Sequence, residues 1–251
     1  SVARAQRAPS SAELLANGLH IGTGNYEIGA VYELHEHDGE TELELRETDA
    51  QLETSNNIDV TFRKFSGDLG LVLNVFYNRV DNYYFENDLG ISIEAGHDDH
   101  ANEPIADEAH ADEEMVPVFL YTPQDVELYG IEAQINYALN SQWQLAAQGD
   151  WIRGRLQDGG NLARIPPKRV SSTITYSGSN WDASVAVKRV FNQNQISSFE
   201  TQTPGYTMLD LNSNLYLSQG KWDWVAYLKI ENMTDELAYV HQSFLRDVTP
   251  L

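Results

Sequence analysis

Four stretches of this chain alternate apolar and polar residues over runs well beyond the five or six residues of an ordinary soluble strand. In residues 126–139, Tyr129, Ile131, Ala133, Ile135, Tyr137 and Leu139 oppose Gly130, Glu132, Gln134 and Asn136. The next stretch sets Trp143, Leu145, Ala147, Gly149 and Trp151 against Gln142, Gln144, Gln148 and Asp150. Further on, Leu209, Leu211, Leu215 and Leu217 oppose Asp210, Asn212 and Asn214, and Trp222, Trp224, Ala226, Leu228 and Ile230 oppose Asp223, Lys229 and Glu231. A period of two places each set on one face of an extended strand. Each strand then has one oily and one wet side, and the wet sides carry the Gln, Asn and Asp that suit the wall of a hydrated lumen. Trp143, Trp151, Trp181, Trp222 and Trp224 fall near strand ends, where the aromatic girdles of a membrane barrel sit at head-group level.

Connections alternate in length as well. Short turns are predicted at residues 66–68, 140–141, 177–180 and 218–220, and longer polar stretches at 87–123, 157–168, 192–204 and 232–251. Short turns on one rim and long loops on the other are the pattern of outer-membrane barrels. About ten strands are expected: 2–5, 27–34, 51–65, 69–85, 124–139, 142–156, 168–177, 181–191, 206–218 and 221–231. Residues 35–50 are open to a hairpin extension. The fold class expected is all-β, an antiparallel transmembrane β-barrel. No run of eighteen apolar residues occurs, which excludes a helical membrane protein.

Charge and composition narrow the chemistry. A formal charge of −22 in 251 residues disfavours nucleic acid and anionic lipid head groups as partners and favours cations or cationic ligands. With no cysteine, any metal ligands must be His, Asp or Glu. There is no G-x-S-x-G elbow, H-E-x-x-H helix or phosphate-binding glycine loop, so no catalytic residue and no resident cofactor is expected.

Particular segments resemble a known family. RAQRAPSSAELLANGLHIGTGNYEIG (Arg4 to Gly29) and IENMTDELAYVHQSFLRDVTP (Ile230 to Pro250) resemble segments of TonB-dependent outer-membrane receptors. YGIEAQINY (Tyr129 to Tyr137), GDWIRGRL (Gly149 to Leu156), RIPPKR (Arg164 to Arg169) and FETQTPGY (Phe199 to Tyr206) follow in the family's order. Through GLHIGTGNYEIG, VFNQNQISSFETQTPGY and a His/Asp-rich loop the nearest resemblance is to the zinc-uptake branch. It implies that residues 1–251 are the C-terminal part of a 22-stranded barrel in the outer membrane of a Gram-negative bacterium. An N-terminal plug, the TonB-contacting segment, the early strands and the final strand would lie outside this sequence. Partners would be a metal ion, the plug, TonB and outer-membrane lipid.

Residues 94–114, EAGHDDHANEPIADEAHADEE, hold the densest metal-ligating chemistry: His97, Asp98, Asp99, His100 and His110 among further acids. Imidazole and carboxylate suit Zn²⁺, and the H-x-x-H spacing lets His97 and His100 converge if the loop turns. The bland alternative is a solvated acidic loop. His35 and His37 have H-x-H spacing, which puts both on one face of a strand. They either join a surface metal site or decorate an exposed hairpin. His20, by the resemblance, is a transport-site ligand; the alternative is a loop cap or packing on Tyr26. His241 reads as structural. Arg153 and Arg155, at an outer strand end, suit lipopolysaccharide phosphates or loop acids. Rival readings are a haem or ferric-siderophore receptor, which calls for aromatic and basic outer loops, and a metal-binding surface adhesin or secreted acidic β protein.

Overall fold

The computed structural model describes residues 1–37, 40–47, 49–94, 115–243 and 245. Among them are thirteen strands and one short helix: β1 (Val2–Arg7), α1 (Ser11–Leu15), β2 (Asn17–His20), β3 (Asn25–Ile28), β4 (Tyr32–His37), β5 (Glu40–Leu45), β6 (Glu53–Lys64), β7 (Leu69–Glu94), β8 (Met115–Ala138), β9 (Trp143–Leu156), β10 (Arg169–Ser177), β11 (Trp181–Val190), β12 (Tyr206–Gln219) and β13 (Trp222–Ile230). The main sheet runs β1-β6-β7-β8-β9-β10-β11-β12-β13. Two units are formed, one of Ser1–Arg4, Asn56–Arg79 and Val126–Leu251, the other of Ala5–Ser55 and Val80–Asp125.

In the first unit the strand register turns the alternating windows into one continuous apolar face. Trp143, Leu145 and Gly149 stand opposite Tyr176, Ile174 and Val170. Ile174 and Tyr176 in turn oppose Val185 and Ala183, Val185 and Val187 oppose Leu211 and Leu209, and Leu211 and Leu217 oppose Ile230 and Trp224. Ile131, Ile135, Ile174, Val185 and Val187 keep 37–41% exposure, so no protein layer covers this face among the described residues. An apolar surface this extensive is unfavourable against water and natural against lipid.

The aromatic residues on that face form two levels. Near the short turns, Tyr176 lies 5.0 Å from Trp143 and 4.7 Å from Trp181, ring centre to ring centre. Towards the other end of β9, Trp151 meets the edge of Tyr129 at 5.8 Å. Eight residues separate Trp143 from Trp151, roughly 26 Å along a strand. A strand tilt near 40° shortens this to about 20 Å of membrane depth, close to the ~25 Å apolar band of a membrane barrel.

The opposite face is hydrogen-bonded. Thr61 donates to Asn74 Oδ1 at 2.8 Å and Asn74 to Glu132 at 3.4 Å, while Arg169 Nε reaches both oxygens of Asp150 at 3.1 Å. Gly130 is required here: a Cβ on it would lie 2.4 Å from the Trp151 carbonyl and 2.7 Å from the Phe76 ring.

In the second unit, β3 pairs antiparallel with β2 and parallel with β8, and β4 with β5. Its core is Ile28, Val118 and Leu120, with Tyr32, Leu34 and Leu43 of the β4–β5 hairpin packed against it. Helix α1 starts with a capping box in which Ser10 and Glu13 exchange hydrogen bonds. Arg7 grips Glu13 with two bonds of 2.8 Å and Glu53 with one of 2.7 Å, which gives Arg7, Ser10 and Glu13 of the R-A-P-S-S-A-E run a joint structural role.

The strand ends differ from the expectation. Strand 27–34 is divided at Gly29, where a Cβ would meet the Leu14 carbonyl at 2.2 Å, and its second half joins the hairpin of residues 32–45. Strands β7 and β8 continue to Glu94 and from Met115, so the connection expected over 87–123 shortens to 95–114, which lies outside the described residues. Helix α1 was not expected, although S-x-x-E is its signature.

Candidate metal-binding site

His20 ends β2 and stands opposite Asn25 across a tight turn closed by the Thr23 and Gly24 amides, which donate to the His20 carbonyl at 3.2 and 2.9 Å. Gly24 supplies the left-handed residue with φ +70°. The ring lies over Gly22, where a Cβ would sit 3.2 Å from Cε1. Nδ1 of His20 is 3.0 Å from Thr23 Oγ1 and 3.6 Å from Glu27 Oε1. These contacts engage the Nδ1 edge of a ring whose side chain is 56% exposed, and an imidazole steered at one nitrogen can offer the other to a metal ion.

Glu27 is buried at 7% exposure. Behind it, the Tyr121 hydroxyl donates to Glu86 Oε1 at 3.0 Å and lies 3.4 Å from Glu27 Oε2. A phenol has one proton, so it satisfies one of these two carboxylates and faces the other as oxygen against oxygen. Burial, followed by the charges of Glu86 and Glu27, pushes the Tyr121 phenol well above its ordinary value.

The other predicted ligands are dispersed. His35 Nε2 lies 3.1 Å from Glu33 and 3.9 Å from Glu44 on the exposed side of the hairpin. The hydrogen bond with Glu33 raises its pKa, with help from the charges of Glu33 and Glu44. The ring must shed that proton before it can bind a metal ion, so any site here weakens as the pH falls. His37 follows two residues on in β4, with Glu40 as its register partner. His97, Asp98, Asp99, His100 and His110 lie outside the described residues. No three His, Asp or Glu groups are arranged to hold a metal ion among the described residues.

Sequence reasoning missed a buried knot in the first unit. Glu200 accepts from the Arg164 amide at 2.8 Å, the Ser197 amide at 3.0 Å and the Ser197 hydroxyl at 3.2 Å, and its Oε1 is 3.5 Å from His241 Nε2. His241 Nδ1 is 3.2 Å from Thr203 Oγ1. Arg164 is itself left-handed, with φ 59°. Three connections, after β9, β11 and β13, therefore meet on one carboxylate. Burial alone would raise the Glu200 pKa, but the His241 contact and the two amides outweigh it and hold the carboxyl at about 2. His241 thus packs inside, in line with its structural reading.

Residues 1–233 match the family described as "TonB dependent receptor-like, beta-barrel". Among solved structures, the chain is similar to the copper transporter OprC, with a TM-score of 0.68 and 15% identity over 96% of this chain and 32% of that one. It is also similar to the ferric enterobactin receptor PfeA of Pseudomonas aeruginosa (TM-score 0.55, 15% identity, 96% and 33%). The FrpB iron transporter of Neisseria meningitidis gives a TM-score of 0.56 at 12% identity, over 80% and 30%. The chain spans about a third of the length of these structures. An apolar face with two aromatic levels, a hydrogen-bonded opposite face, short turns against long connections and a family match over nearly all of its length lead to one conclusion: the chain belongs to the TonB-dependent receptor-like β-barrel family.

Proposed function

We propose that residues 1–251 are the C-terminal barrel portion of an outer-membrane receptor that imports a metal ion, zinc, by ligand binding and plug displacement driven through TonB, without catalysis. The observation that carries this reading is His20 with Glu27. An exposed imidazole whose Nδ1 is engaged by Thr23 and faced by the buried Glu27 can offer its Nε2 as one ligand to Zn²⁺, with Glu27 as the orienting partner behind it. Further ligands would come from parts of the receptor outside this chain. The His- and Asp-bearing stretch 94–114, with His97, Asp98, Asp99, His100 and His110, acts as the collecting loop, and the His35–His37 face of the hairpin adds weaker sites.

Copper is the cargo named for one structural neighbour. The donor chemistry here argues for zinc over Cu(I), which prefers thiolate and thioether, since this chain has no cysteine and three methionines. A ferric-siderophore cargo, as named for another neighbour, calls for aromatic and basic outer loops, whereas the stretch 95–114 carries acids and histidines and no Lys or Arg.

The test is Zn²⁺ calorimetry on a peptide of residues 91–118 beside one with His97, His100 and His110 changed to Ala. Heat of binding that needs the histidines supports the collecting loop. A wild-type peptide indifferent to Zn²⁺ removes the loop from the mechanism and leaves His20 alone to carry the zinc reading.

A further inference from the structure

Basic residues are scarce in this sequence and gathered in one place. Seven of the sixteen, Arg153, Arg155, Arg164, Lys168, Arg169, Lys188 and Arg189, fall in residues 153–189 beside only Asp158 and Asp182. That stretch carries a charge of +5, while the remainder, nine bases against thirty-six acids, carries −27. Folding draws these cations to the long-connection end of the first unit: the end of β9, the start of β10, the end of β11 and the connection between β9 and β10.

The register then divides them between the two faces. Arg169 and Lys188 take the polar face, and Arg169 is bound there by Asp150 at 3.1 Å. Arg153, Arg155 and Arg189 take the apolar face, Arg153 two residues beyond Trp151 and its aromatic level, and Arg189 two residues beyond Val187. Lys168 Nζ lies 4.1 Å over the Phe191 ring and the Arg189 guanidinium 5.7 Å from the same ring. Neither cation has a carboxylate partner among the described residues, although the chain is strongly acidic. Two like charges sharing one ring repel, and an anion between them would relieve that repulsion.

Arg189 also closes one end of a groove of about 440 Å³ on the apolar face, floored by the small residues Ala133, Ala147 and Gly149 and walled by Ile135, Val170 and Val187. A Cβ on Gly149 would lie 3.1 Å from Val170 Cγ1 and fill the floor. We infer that this corner holds a phosphate-bearing lipid of the surrounding leaflet, with an acyl chain in the groove and its phosphate between Arg189 and Lys168. The inference rests on the membrane placement in the proposed function, and the charge complementarity singles out an anionic head group.

The test uses the full-length receptor, extracted in mild detergent and offered lipid A or dephosphorylated lipid A, with retention read by native mass spectrometry. Retention should favour the phosphorylated form. The Lys168→Ala/Arg189→Ala double variant should lower lipid A affinity roughly twenty-fivefold, at roughly fivefold for each cation removed. Lys188→Ala, on the polar face, should retain lipid A as the wild type does, and an unchanged heat-modifiable gel shift shows that the variants fold. Equal retention of both lipids, or an equal loss with Lys188→Ala, would overturn the inference while leaving the receptor in the membrane. A receptor that stays dispersed without detergent would overturn the membrane placement itself.

Discussion

Glu200→Gln is the substitution from which most follows. The side chain keeps its size, but one of its two ends changes from acceptor to donor. Oε1 now serves the Arg164 amide and His241, and Oε2 serves the Ser197 amide and hydroxyl. Whichever way the amide turns, one set of donors faces an NH₂ group. A lost hydrogen bond to a buried charge costs about 1.5–3 kcal/mol. The proton linkage gives a similar figure. The carboxyl is held at about 2 against its ordinary 4.5, and each tenfold change in proton affinity corresponds to about 1.4 kcal/mol, so roughly 3 kcal/mol is at stake. Because the folded pKa is depressed, this contribution is complete above pH 4.5 and is lost as the pH falls towards 2. Hydrogen exchange read by mass spectrometry on the full-length receptor is the assay. Peptides covering 160–168, 192–205 and 234–243 should lose protection together in Glu200→Gln, by roughly a hundredfold for 3 kcal/mol. Loosening confined to 197–200 would refute the idea that one carboxylate holds three connections.

Three further outcomes follow from the same geometry. Ala147→Arg, midway between the aromatic levels on the apolar face, should cost about 2–4 kcal/mol in urea unfolding from lipid vesicles, whereas its neighbour Ala146→Arg, on the polar face, should stay within about 0.5 kcal/mol; equal costs would dismiss the assignment of faces. Gly130→Val places a side chain where a Cβ already meets the Trp151 carbonyl and Phe76, so the folded fraction in a heat-modifiability gel should fall, at a cost of roughly 1–3 kcal/mol. Ser10→Ala removes the cap of α1 and should speed exchange in residues 11–16 by roughly fivefold, for about 1 kcal/mol; unchanged exchange would mean the Arg7–Glu13 fork holds the helix alone.

The architecture was open to sequence reading because alternation is a local signal. The faces assigned to residues 129–139, 143–151, 209–217 and 222–230 are those the register produces, and all four short turns fall where small polar residues interrupt the pattern. Strand ends were less legible. The strand expected over 124–139 begins earlier, and β8 runs through Pro117 and Pro123, neither of which can donate to a ladder. Asn82 and Gly90, left-handed within β7 with φ 57° and 69°, have the backbone geometry of local kinks that a continuous strand absorbs. The Glu200–His241 contact joins residues 41 apart, and nothing in either segment marks its partner. His20 was singled out through resemblance alone, and its pairing with Glu27 emerges only when the β2–β3 turn brings a residue seven positions away to the same side.

Zinc accumulation by cells carrying the full-length receptor puts the proposed import to its plainest test, with wild type, His20→Ala and a strain lacking TonB compared under zinc limitation. Receptor- and TonB-dependent uptake of radiolabelled zinc is expected in preference to copper, reduced roughly ten- to hundredfold by His20→Ala. Uptake that ignores zinc, or zinc uptake untouched by the loss of His20, would contradict a zinc receptor built around this imidazole.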